Sequence, residues 1–375
     1  MKDQYQPMFE KFLLPNLVQL KNRIIMAPMT HGASHPDGST SETELTYYKR
    51  RANGVSIVIT AGTWIMPSGG LSGSAGVHRD EMISGLKRLS TVIQEQGAKA
   101  VLQIFHGGRK SVPPNGDIVR VVSTIPEDEE ESKITQELTD VEIVEIIHAF
   151  GEATRRAIEA GFDGIELHGA NGCLIQQFFS AHTNRRSDRW GGTLEKRMLF
   201  ALEIIDVVKR VVREHAKAPF LVGYRISPEE PETLGITMAD TLAFIETLAN
   251  RGLDYLHLSL NDFWSVPRRG IEDSRSRLEI IQERVGRQIP IIGVGLIRTP
   301  EDAIRALQTG IPLIALAREL IVEPDWIKLI EHGSEEDIQT TLTDKDQNKL
   351  VIPDALWAFI LDIPGWFPLE RSDGR

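Results

Sequence analysis

The chain has 375 residues, 41% hydrophobic and 25% charged, with a net charge of -11 and one cysteine. The acidity speaks against a nucleic-acid or anionic-membrane binder, since either needs a basic face; the lone cysteine excludes an intramolecular disulfide, a cysteine-ligated cluster and a structural zinc site. The opening MKDQYQPMFE lacks a signal-peptide hydrophobic stretch, and no apolar run approaches the ~20 residues of a membrane span, so a cytoplasmic protein is expected.

In chain order, short apolar runs alternate with longer helical patterns. NRIIMAPM (22–29) is followed by a turn-rich stretch and a helix from Ser41, where SETE reads as a capping box. SIVITAG (56–62) precedes a helix over 80–96, AKAVLQIFHGG (98–108) a helix over 139–160, and FDGIELHGA (162–170) a helix over 195–215. FLVGYRIS (220–227), LDYLHLSL (253–260), IPIIGVGL (289–296) and IPLIALARE (311–319) are followed by helices over 238–251, 274–287, 300–309 and about 324–332. Continuous apolar strands alternating with helices mark a parallel sheet covered on both faces. Eight such units predict a single-domain (β/α)8 TIM barrel over residues 1–333. A doubly wound open sheet is the alternative, but MAPMTHG is not its Gly-rich first turn. Residues 109–138, with Pro113–Pro114 and the acidic run EDEEES, read as a loop excursion over the active face. The extension 334–375 turns aromatic in ALWAFILDIPGWF, so it is expected to pack on the barrel or to join a subunit interface of a homo-oligomer.

Barrel active sites lie at the C-terminal ends of the strands. Those ends offer Pro28, Met29, Thr30, Ala61, Gln103, His106, His168, Asn171, Cys173, Arg225, His257, Ser259, Gly293, Gly295, Ala317 and Arg318. No paired carboxylates suit a glycosidase, no serine sits in a nucleophile elbow, no strand end has a Schiff-base lysine, and no carboxylate joins the histidines as a metal set. Glu166 is either a buried ion partner or points outward. Gly293, Gly295 and Arg318 suit a phosphate, against a reading as tight turns and a surface arginine. Gln103 both donates and accepts, which suits a heterocycle edge, and Arg225 suits a ring that becomes negative on reduction, against a structural salt bridge. His168 and Asn171, three apart, can both present an N–H to one carbonyl oxygen.

NRIIMAPMT, SIVITAG, VLQIFHGGR, DGIELHGANG with SDRWGGTLEKR, YRIS, GVGLI and ALARELIVEPDW resemble the old yellow enzyme family of NADH:flavin oxidoreductases and ene-reductases, from about Pro7 to Trp326. The resemblance implies an FMN-binding barrel. It implies Pro28, Met29, Thr30 and Ala61 at the flavin ring, Gln103 and Arg225 at its pyrimidine side, and Gly295, Ala317 and Arg318 at its phosphate. His168 and Asn171 would hold the oxygen of a small electrophilic substrate. Hydride would pass from NADH or NADPH to the flavin and on to an activated alkene, such as an α,β-unsaturated carbonyl. The longer iron–sulfur relatives are excluded by their missing cysteines and domains. Cys173 stands where the family usually has the proton-donating tyrosine, and Ala317 where many relatives have glycine. Cys173 is therefore read either as the donor or as an apolar filler. The alternative reading of the whole chain is a flavin-binding protein with weak or different turnover.

Overall fold

The computed structural model describes residues 1–112, 118–125 and 134–370. The Pro113–Pro114 pair and the EDEEES run lie outside these described residues. Eight parallel strands close on themselves: β1 (Ile24–Met26), β2 (Ile57–Ile59), β3 (Lys99–Phe105), β4 (Gly164–Gly169), β5 (Leu221–Ile226), β6 (Tyr255–Leu258), β7 (Ile291–Val294) and β8 (Leu313–Leu316). Each pairs with its successor, and β8 returns to β1 through Ile314 opposite Ile24 and Leu316 opposite Met26. The expected (β/α)8 barrel is the observed fold. Its helices are α1 (Glu42–Arg51), α2 (Ile83–Glu95), α3 (Asp140–Glu159), α4 (Leu194–His215), α5 (Met238–Ala249), α6 (Arg277–Val285), α7 (Pro300–Gln308) and α8 (Trp326–His332).

Side-chain alternation along each strand divides the apolar residues into two sets. One set faces the helices and forms the main core. The other fills the barrel with Ile25, Ile57, Ile59, Val101, Leu221, Tyr255, Ile292, Leu313 and Ala315. Leu14 and Leu20 join this inner cluster from a short antiparallel ribbon, Phe12–Leu13 with Gln19–Leu20, whose sequence carried no strand signal. Inner packing is tight at Gly223, where a Cβ would overlap the Tyr255 ring.

Helix starts follow their caps. α3, α5, α6 and α7 begin at reciprocal capping boxes led by Thr139, Thr237, Ser276 and Thr299. Ser276 explains why α6 starts three residues later than its periodicity suggests. The SETE box is only half formed: Ser41 accepts from the Glu44 N–H, but the Glu44 side chain is buried and accepts from Ser34 Oγ (3.1 Å) instead. The excursion after β3 holds a two-stranded parallel pair, Val119–Val121 with Thr135–Glu137, whose Val119 and Val121 are buried.

The C-terminal extension contributes α9 (Asp354–Asp362), which buries Leu356 and Ile360, and then Phe367. The buried Arg51 guanidinium donates to Leu350 O (2.6 Å), and Ala355 lies against Gly32, which adopts φ +63°. Phe359 stays 46% exposed.

Gly223→Ala should force Tyr255 out of place and cost about 1–3 kcal/mol by overpacking; a urea unfolding curve of the variant would show this as a lower midpoint with an unchanged slope.

Candidate active site

The same alternation carries a polar layer into the mouth of the barrel. Register puts Gln103 opposite Glu166, His168 opposite Arg225, and Arg225 opposite His257. Glu166 on β4 reaches His257 on β6 across the intervening β5, which only inward-facing side chains do. Its Oε1 accepts from Gln103 Nε2 (2.7 Å), and its Oε2 faces His257 Nδ1 at 3.0 Å. Glu166 is fully buried, so it is an ion partner rather than an outward-facing residue. Burial alone would raise its pKa; the nearby His257, then Arg225 and the Gln103 bond, outweigh this and hold it below the ordinary range. Burial pushes the His257 pKa down and Arg225 adds to this, against the opposing pull of Glu166. The His257 Nε2 is buried without a partner among the described residues.

Two connected hollows open above this layer. A small recess, about 70 Å³, is lined by Pro28, Thr30, Ala61, Gln103, His168, Asn171, Cys173 and Arg225, with His31, Gly32, Leu71, Gly73 and Ser74 added by the loops after β1 and β2. A larger cavity, about 680 Å³, shares Pro28, Thr30, Asn171 and Arg225 and extends past Met29, Gly295, Ala317 and Arg318. Gly293 borders neither; it lies inside β7, where a Cβ would press on the Phe263 ring. The structure thus brings the sequence-derived residues to the hollows except Gly293 and His257, which lies in the layer beneath them. His106 is also withdrawn: it is buried, accepts from the Gly108 N–H (3.0 Å), and burial lowers its pKa to about 4.

Three groups that border the hollows are left short of partners among the described residues. Arg225 is 7% exposed, and its side chain makes no hydrogen bond among the described residues, Nε being buried and unpaired. Burial lowers its pKa, opposed chiefly by Glu166. His168 Nδ1 is also buried and unpaired, and burial, then Arg225, push the imidazole down to about 3. Asn171 sits in the left-handed region at φ +55°, which asparagine tolerates. Its N–H donates to Ser227 Oγ (2.9 Å), its carbonyl accepts from Lys110 Nζ (2.7 Å), and its Oδ1 accepts from Ser259 Oγ (2.8 Å). That last bond leaves the Nδ2 hydrogens to the cavity. Ser259 stands at a strand end, but its orienting role had no sequence signal. Glu166 did have one, being two residues before the inward-facing His168.

Cys173 packs with Trp64, Phe105 and Leu71, and burial pushes its thiol up to about 11.

At the far end of the larger cavity Gly295 adopts φ +133°, and a Cβ there would lie 2.7 Å from the Phe263 N. The N–H groups of Gly295, Ala317 and Arg318 make no backbone hydrogen bond among the described residues. Arg318 is half-buried, and one of its Nη atoms donates to Trp366 O (2.6 Å). Ile363, Pro364, Gly365 and Trp366 wall this end, so the extension completes the cavity, a contribution beyond the strand ends. Unpaired amides, a glycine cradle and an arginine fit a phosphate; the unpaired Arg225 and Gln103 fit the polar edge of a flat heterocycle. The residues present therefore fit FMN. Among the described residues no cluster of metal-ligating side chains occurs, and no helix is long and apolar enough to cross a membrane.

The sequence matches the NADH:flavin oxidoreductase / NADH oxidase family over residues 7–337. The "Probable NADH-dependent flavin oxidoreductase YqiG" of Bacillus subtilis (strain 168) is 47% identical over 99% of this chain and 100% of its own length. The "NADH:fumarate oxidoreductase" of Klebsiella pneumoniae (strain 342) is 38% identical over 94% of this chain, which spans 38% of that protein. Among solved structures, morphinone reductase superposes with a TM-score of 0.74 at 28% identity, covering 87% of this chain and 90% of its own.

Because its thiol is held protonated and buried, Cys173 should react slowly with iodoacetamide at pH 8. The rate should keep rising beyond pH 10, as more thiolate forms near the raised pKa; mass spectrometry of alkylated Cys173 across pH measures this.

Proposed function

The chain belongs to the NADH:flavin oxidoreductase / NADH oxidase family, the old yellow enzyme family, with FMN as cofactor and NADH or NADPH as reductant, and from that premise we propose that its acceptor is an activated alkene such as an α,β-unsaturated carbonyl. FMN, when bound, would supply the hydride transfer from the nicotinamide to the β-carbon of the acceptor. This chain's residues bind, orient and polarise.

The observation that carries the reading is the pairing of His168 with Asn171 at the recess. The imidazole is neutral throughout the physiological range because its pKa lies near 3. It therefore acts as a neutral N–H donor, beside an Asn171 amide whose oxygen is already bonded by Ser259. Two such donors aimed at one oxygen stabilise the charge that develops there as hydride arrives at the β-carbon. Arg225 and Gln103 would hold the flavin's pyrimidine side, Pro28, Met29, Thr30 and Ala61 its ring, and Gly295, Ala317 and Arg318 its phosphate. Gly293 drops out of this set and supports the strand instead.

Cys173 is an apolar wall in this account. A thiol with a pKa near 11 is a weak acid, and it packs against Trp64 and Phe105. The proton for the α-carbon then comes from water in the recess. A relative named for fumarate, itself an activated alkene, agrees with the substrate class. The weak-turnover alternative has only Cys173 in its favour.

Asn171→Ala and His168→Ala should each lower kcat/KM for 2-cyclohexenone by about 10²–10³-fold, the range for losing one oxyanion donor. Cys173→Ala should leave it within a factor of a few. Stopped-flow reoxidation of the NADH-reduced enzyme by the enone measures this. Reoxidation by oxygen alone would count against the acceptor class.

A further inference from the structure

Glu166 lies beneath the cavity, touches neither hollow, and is used by none of the steps above. It is nevertheless the centre of the polar layer. A carboxylate that is ionised has only acceptor positions. Gln103 must therefore turn its amide nitrogen to Glu166, and does so at 2.7 Å. The amide oxygen is left on the cavity side, 3.5 Å from where a Cβ on Gly62 would stand. The other carboxylate oxygen holds His257 at 3.0 Å, so Glu166 itself cannot swing. Its charge is also the counter-charge that acts most strongly on Arg225, which borders both hollows.

We propose that Glu166 is a positioning residue for the cofactor: it locks Gln103 with its amide oxygen towards the ring, as acceptor for the flavin's imide N–H, and balances the charge of Arg225 under that ring. This rests on Gln103 and Arg225 being cofactor residues. A glutamine without such a lock presents either end to the ring. With it, the pocket offers an acceptor at Gln103 and donors at Arg225, a pattern that fits an imide N–H beside a carbonyl. The negative charge also opposes the charge that a reduced ring gains, so Glu166 sets the potential as well as the affinity.

The test uses Glu166→Gln, which keeps an acceptor for Gln103 and removes the charge. FMN affinity should fall at least tenfold by fluorescence titration, and the midpoint potential of bound FMN should move positive. Unchanged affinity and potential in a folded variant would overturn the proposal. Gln103→Leu separates the two readings. If it weakens FMN while Glu166→Gln does not, only the role of Glu166 fails; if it leaves FMN binding unchanged, the cofactor edge itself has been misplaced, and both fail. Should Glu166→Gln not fold, the wild-type protein decides. FMN methylated at the imide nitrogen should bind at least 100-fold more weakly than FMN, and equal binding would overturn the acceptor-first orientation.

Discussion

A guanidinium sealed inside a barrel has to be compensated, and Arg225 is compensated only in part. Removing a cation from water costs several kcal/mol even after the surroundings relax. Glu166 answers the charge, but none of the arginine's hydrogen-bonding capacity is met by a described residue. The rest of the site follows from that deficit. The unpaired groups face a cavity with a glycine cradle and open amides at its far end. An arginine left unsatisfied at the inner end and another half-buried at the outer end describe a ligand that is flat and polar at one side and anionic at the other.

The work is divided between strands and loops. Inward-facing strand residues supply the fixed electrostatics: Gln103, Glu166, His168, Arg225 and His257. Loops and the C-terminal extension supply enclosure. His31, Leu71 and Ser74 border the recess, and Trp366 with its neighbours walls the opposite end. Cys173 belongs with the enclosure, since its neighbours are Trp64 and Phe105 and its thiol is held protonated. The same burial keeps His168 neutral, so one physical effect, desolvation, sets both protonation states in the recess.

The barrel was legible because its strands are continuous apolar runs between helical periods, and because period-two alternation leaves Gln103, His168 and Arg225 at strand ends. Gly293 lies off the cavity because Phe263 folds back over it, a contact that its own sequence cannot show. Ser259 and Trp366 were hidden for a related reason: they act through contacts far away in sequence, with Asn171 and Arg318. The half-formed SETE cap shows tertiary burial overriding a local motif, as Glu44 turns to Ser34 rather than to its own helix start. The short ribbon that carries Leu14 and Leu20 into the barrel has too few residues to show any period.

The most direct measurement is the rise in melting temperature that FMN gives the apoprotein, compared between wild type and Arg225→Met. If the cofactor is what completes the buried arginine, FMN raises the wild-type melting temperature strongly, as a ligand of the native state must. The methionine variant, which leaves the buried Glu166 carboxylate without this counter-charge, starts from a lower apoprotein melting temperature and gains little from FMN. An equal FMN-induced rise in both proteins would contradict the account, because Arg225 would then be a structural charge with no part in holding the cofactor.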